Sequence, residues 1–124
     1  FDYKIKVKVP PFQVPETIYN ACNDPSLRFF ALYCDEAIRI YSNEGRHIYS
    51  TEFEPMKMMS FTAKGEELVL YNFTTVRIVF MNEDKAKITE KEFPIFEHDE
   101  LRNVKANHKY KRVYIKFGRW WYKQ

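Results

Sequence analysis

The feature that most constrains this chain is a pattern of short apolar runs and turn residues that is written twice. The first copy reads FFALYC (29–34), AIRIY (37–41), a turn at Ser42-Asn43-Glu44-Gly45, then HIYSTEF (47–53) and Pro55. The second reads LVLY (68–71), TVRIVF (75–80), a turn at Asn82-Glu83-Asp84, then AKITEKEF (86–93) and Pro94. Tyr33 matches Tyr71 and Arg39 matches Arg77 at a spacing of 38, and Pro55 matches Pro94 at 39. That period is close to the ~40 to 45 residues of a propeller blade. The sequence therefore predicts an all-β chain of antiparallel WD40-like propeller blades, two plus a partial third. The units fall at 16–55, 56–94 and 95–124, after an edge strand and Pro-rich connector at 1–15. Blades bury their faces against neighbours, so an incomplete set leaves apolar flanks to be covered by more chain or by a partner. The alternative is a closed small β-barrel or sandwich of about nine strands.

With 124 residues, 45% of them hydrophobic and 18% aromatic, the chain has the material for one packed domain. Its apolar runs fall far short of the ~20 residues of a spanning helix, and no charged-then-apolar signal opens it. It opens on Phe1 rather than Met, as expected of a segment excised from a longer chain. Cys22 and Cys34 read as small buried thiols on neighbouring strands rather than as a disulfide framework.

Read in order, residues 2–9 alternate apolar side chains with lysine, the mark of an edge strand whose charges discourage aggregation. Pro10, Pro11 and Pro15 then stop the ladder. Residues 16–23 fit a strand or a helical turn, and the repeat requires a strand. The turn signal Asn23-Asp24-Pro25-Ser26 precedes the central run 29–34, which forms a hairpin with 37–41. Gly45 supplies a tight reversal, and 46–54 returns as an outer strand with alternate residues facing water. The second unit starts at 56–61 and turns at Ala63-Lys64-Gly65-Glu66. The third begins at 101–106 and continues through 113–117, with Gly118 at a turn before Trp120-Trp121-Tyr122.

Little in the chain spells catalysis. Glu97, His98, Asp99 and Glu100 are consecutive, so on an extended chain they point in opposite directions and read as a solvated loop. His47 and His108 lack a partner at ligand spacing, and the cysteines are twelve apart, so no metal or cofactor is predicted. Ser26, Ser42, Ser50 and Ser60 lie in no nucleophile elbow, and three glycines leave no phosphate-cradling loop. The chain reads as a non-enzyme.

Charge is segregated. Residues 101–124 carry eight basic side chains and no acidic one, against twelve basic and seventeen acidic in the first hundred. The basic, aromatic tail is the best candidate for function. In one reading Val113, Ile115 and Phe117 form core, Arg112 and Lys116 face water, and the tryptophans pack beneath a neighbouring blade. In the functional reading Arg112, Lys116, Arg119, Trp120 and Trp121 bind a partner protein, since Trp and Arg dominate such contacts. The alternative is a single-stranded nucleic-acid platform of Tyr110, Lys111, Arg112, Tyr114, Lys116 and Trp120, or contact with anionic lipid headgroups. A third reading is a small barrel holding an apolar ligand between Phe29, Met58, Phe61 and Tyr71.

Ile40-Tyr41-Ser42, Gly45, Phe61, Gly65-Glu66-Glu67-Leu68 and Val76-Arg77-Ile78 stand in an order that resembles the first blades of the N-terminal propeller of the class C vacuolar protein sorting subunits of the HOPS and CORVET tethering complexes. The resemblance covers roughly residues 1–96. Phe61 stands where that family commonly has Trp, the family's long downstream helical solenoid is absent, and Arg119-Trp120-Trp121 has no counterpart. The resemblance implies a non-enzymatic, cytoplasmic role, peripheral on endosomal or lysosomal (vacuolar) membranes and dependent on other complex subunits.

Overall fold

In the computed structural model the described residues are 12–14, 17–35, 37–72, 74–95, 101–107, 109, 112–117 and 120–123, with only the backbone described at 101–103, 106, 117 and 120–123. The predicted edge strand 2–9, the Pro-Pro connector and the acidic cluster 97–100 lie outside them. The apolar, β-branched and aromatic runs are strands, as their alternation requires. The first sheet holds β1 (Asn20–Asn23), β2 (Phe29–Cys34), β3 (Ala37–Ser42) and β4 (His47–Glu52). The second holds β5 (Met58–Phe61), β6 (Glu67–Tyr71), β7 (Thr75–Phe80) and β8 (Thr89–Pro94). β9 (Leu101–Asn107), β10 (Arg112–Phe117) and β11 (Trp120–Lys123) make a third. Each sheet is an antiparallel meander in chain order, and the described strands close into no barrel. That corrects the closed-barrel alternative.

The repeat is written into the turns as well as the strands. Before β2, the Asp24 amide donates to the Phe29 carbonyl, and the Leu27 amide to the Asp24 carbonyl. Before β6, 38 residues on, the Thr62 amide donates to the Glu67 carbonyl, and the Gly65 amide to the Thr62 carbonyl. Leu27 and Gly65 both have positive φ, 60° and 72°. A side-chain oxygen completes each turn: Asp24 Oδ1 accepts from the Phe29 amide at 2.9 Å, and Thr62 Oγ1 accepts from the Glu67 amide at 3.3 Å. At the opposite end the Tyr19 amide donates to the Tyr33 carbonyl and the Lys57 amide to the Tyr71 carbonyl, again 38 residues apart.

The second sheet is the middle layer. Its strands alternate, sending Leu68, Leu70 and Val79 to one face and Val69, Tyr71, Val76, Ile78 and Phe80 to the other. The first face packs on Phe29, Ala31, Ile38 and Ile40 of the first sheet. The second packs on Val113 and Ile115 of β10. Phe29 thus lies in one core and Tyr71 in the other, on opposite sides of the middle sheet, while Met58 is exposed. The four residues proposed to line one apolar ligand cavity therefore do not meet.

Two boundaries differ from the sequence reading. Ala86 and Lys87 belong to a 3₁₀ turn, Lys85–Lys87, rather than to the start of β8. The Asp84 carboxylate accepts from the Ala86 amide and captures the chain before the ladder begins. The strand expected at 46–54 is β4, shorter at both ends. Cys22 and Cys34 sit on adjacent strands with free thiols. Burial lifts the Cys22 thiol to about 12.

Candidate functional site

β10 sorts its residues by alternation. Val113 and Ile115 are fully buried against the second sheet, so Arg112, Tyr114 and Lys116 stand on the opposite face. Arg112 is exposed, Tyr114 is 38% exposed and Lys116 is half-buried. Across the ladder Tyr114 pairs with Lys105 of β9 and with Lys123 of β11. The outer row is therefore cation, phenol, cation, about 13 Å from end to end, with exposed Lys105 beside its centre.

The equivalent row of β2 is Phe29, Ala31 and Tyr33, and that of β6 is Val69 and Tyr71, all turned toward the next sheet. β10 breaks the rule, because its described outer row, Arg112, Tyr114 and Lys116, is polar.

The tryptophans enter as backbone positions only. Trp121 pairs with Lys116 and Trp120 with Phe117, where the β9–β10 register shifts. Strand order thus brings Arg112, Tyr114, Lys116 and the Trp120 and Trp121 positions into one small sheet. Tyr110, Lys111 and Arg119 lie outside the described residues.

A cleft of ≈ 670 Å³ opens between the second and third sheets. β1 lies alongside β5, but no such approach joins β5 to β9 among the described residues. One wall is the β5–β6 loop with Lys64 and Glu66 and the first residue of β6, Glu67; the other is β9 and its turn, with Val104, Lys105 and Lys109. Lys64, Lys105 and Lys109 are exposed, whereas Glu67 is buried and its Oε1 accepts from Thr62 Oγ1 at 2.7 Å. Lys105 borders both the cleft and the outer row, and the cleft lining mixes its lysines with Glu66 and Glu67. Lys64 and Glu67 were not among the site residues read from sequence. They come from the preceding repeat unit, and no local pattern signals that they face β9.

A second polar cluster joins the first two sheets. The Arg77 guanidinium donates to Thr51 Oγ1 (2.7 Å), to the Glu52 carbonyl (2.6 Å) and to Glu92 Oε1 (2.8 and 3.0 Å). Glu90 Oε1 is 3.6 Å away, and the Phe53 ring centroid 5.1 Å. The Tyr49 hydroxyl donates to Glu90. Burial chiefly, then the Glu90 hydrogen bond and charge, lift the Tyr49 phenol to about 12, with Arg77 opposing. Its donors are spent within the fold, so this cluster is a fastening rather than a binding site. Arg39, the matching arginine of the first unit, pairs with Ser50 and Leu32 on the other face of the first sheet.

No family model matches the sequence, and no curated protein is significantly similar to it. No helix among the described residues is long and apolar enough to cross a membrane.

Proposed function

We propose that this chain is a non-enzymatic protein–protein interaction scaffold built from propeller-type blades. The observation that carries the reading is the repetition of a four-stranded meander, its first three strands and their turn hydrogen bonds at an offset of 38 residues and its fourth strand at 42. Such units stack face to face and leave rows of side chains for partners. The partner surface is the basic row of the third sheet, Arg112 and Lys116, extended by Arg119, Trp120 and Trp121. The family resemblance supplies the setting: a subunit of a membrane-tethering complex, held peripherally on endosomal or lysosomal membranes through other subunits.

The test is binding of purified class C tethering-complex subunits to the chain, with R112E/K116E as the variant. Capture that survives moderate salt and fails in the variant supports the scaffold. Binding of single-stranded RNA with a steep salt slope, and of no subunit, replaces it with the nucleic-acid reading.

A further inference from the structure

We infer that Asn72 is a latent acceptor for N-linked glycosylation that the fold closes, so that carrying a glycan there and closing the β6–β7 turn exclude one another. Asn72-Phe73-Thr74 is an Asn-X-Thr acceptor sequence. Such sequences are modified on surface loops, and Asn72 does fall between two strands, β6 and β7. Yet only 4% of Asn72 is exposed.

Both ends of its side-chain amide are engaged. Nδ2 donates to the Pro55 carbonyl at 3.0 Å, tying the turn to the segment before β5. Oδ1 accepts from the Thr74 amide (2.9 Å), the Thr74 hydroxyl (3.0 Å) and the Thr75 amide (2.8 Å). The Asn72 backbone amide donates to the Thr75 carbonyl at 3.0 Å and closes the hairpin. The acceptor nitrogen and the hydroxyl of its sequence partner are thus both bonded inside the fold. Transfer forms a bond from Nδ2 to C1 of a lipid diphosphate-linked oligosaccharide and breaks the bond from C1 to the diphosphate oxygen. The lipid diphosphate leaves with that electron pair, and one Nδ2 proton passes to the transferase. The product is a secondary amide, whose favoured trans form sets the sugar on the Oδ1 side. That side already holds the three donors from Thr74 and Thr75. The cavity beside Asn72, ≈ 310 Å³ and lined by Pro55, Met56 and Lys57, lies at the small end of ligand pockets and does not enclose an oligosaccharide of many sugars. A glycan attached before folding therefore holds the turn open and keeps Tyr71 and Val76, which pair beside it, from closing into the second core.

The experiment compares transfer by a solubilised oligosaccharyltransferase, supplied with lipid-linked oligosaccharide, to the chain 1–124 below its thermal transition and to a short peptide of residues 66–80. The peptide is expected to be modified at Asn72, and the folded chain at least about tenfold more slowly, because its acceptor is reached only through local opening. In a second arm the chain, preceded by a cleavable signal peptide, is translocated into microsomes, where transfer precedes folding. The glycosylated form is expected to be cut by protease within the second sheet, and the unglycosylated form from the same reaction to resist. No transfer to the peptide overturns the acceptor. Transfer to the folded chain at the peptide's rate, or a glycosylated form as protease-resistant as the unglycosylated one, overturns the exclusion.

Discussion

Asp24 shows how much one buried carboxylate can organise. Fully buried, it accepts from the amides of Arg28 (2.6 Å), Phe29 (2.9 Å) and Ser26 (3.3 Å), and from Arg28 Nε at 3.2 Å. Removing it leaves the buried Phe29 amide without its carboxylate acceptor. Asp24→Ala is expected to destabilise by roughly 3 kcal/mol in a denaturant titration, and Asp24→Asn by less because one acceptor oxygen remains. Tyr49 makes a pH prediction. Its phenol ionises near 10 when unfolded and holds its proton to about 12 in the fold. Its contribution is therefore complete below pH 10 and lost as pH rises from 10 to 12. Melting temperatures across that window should fall less steeply in Tyr49→Phe than in the native chain; parallel curves would show the phenol is not the group responsible.

At the scale of elements, the two equivalent turns are a natural comparison of residues at one backbone geometry. Leu27 holds positive φ at 60° where the second unit has Gly65. Left-handed strain costs a side chain about 1–2 kcal/mol, and glycine's extra unfolded-state entropy offsets about 0.5–1. Leu27→Gly should therefore stabilise by ~0.5 kcal/mol. Gly65→Ala should do the reverse, by about 2 kcal/mol, because strain is joined by a clash: its Cβ would stand 2.7 Å from Asp24 Oδ2. Chemical denaturation of both variants checks the signs.

These turns also mark what was legible in the sequence. Runs such as 29–34 and 68–71 announced their strands because burial on both faces demands unbroken apolar residues, and Gly45 and Gly65 announced reversals. The alternation of Val113 and Ile115 with Arg112 and Lys116 was legible because only one face of that strand is buried. The 3₁₀ turn at Lys85–Lys87 was not, since its residues suit a strand and only the Asp84 cap diverts them. Lys64 was not legible as a site residue either. It lines the cleft together with residues of β9, a tertiary fact that local periodicity does not carry.

At the scale of the whole molecule, the middle sheet belongs to two cores at once. Ile40 lies in the first and Ile78 in the second, and both are fully buried. One layer lending its faces to both cores couples them, so a single cooperative thermal transition is expected. Ile40→Ala and Ile78→Ala should each lower that one transition, at a cost of about 2–5 kcal/mol. Separate transitions, each moved by one variant alone, would show that the sheets melt independently.

The polar row on β10 has a further consequence. An array whose two ends are alike in chemistry and complementary in shape can recruit copies of itself without limit, as open head-to-tail contacts do. Here the ends differ. The first sheet's far face carries Phe30, Leu32 and Cys34, with Phe12 set edge-on to Phe30, whereas the third sheet's far face carries Arg112, Tyr114 and Lys116. A second copy arriving at that row would have to strip water from charge, while Phe30, Leu32 and Cys34 are already buried and share their face with Arg39. The mismatch disfavours head-to-tail stacking of two copies of residues 1–124 through these two faces.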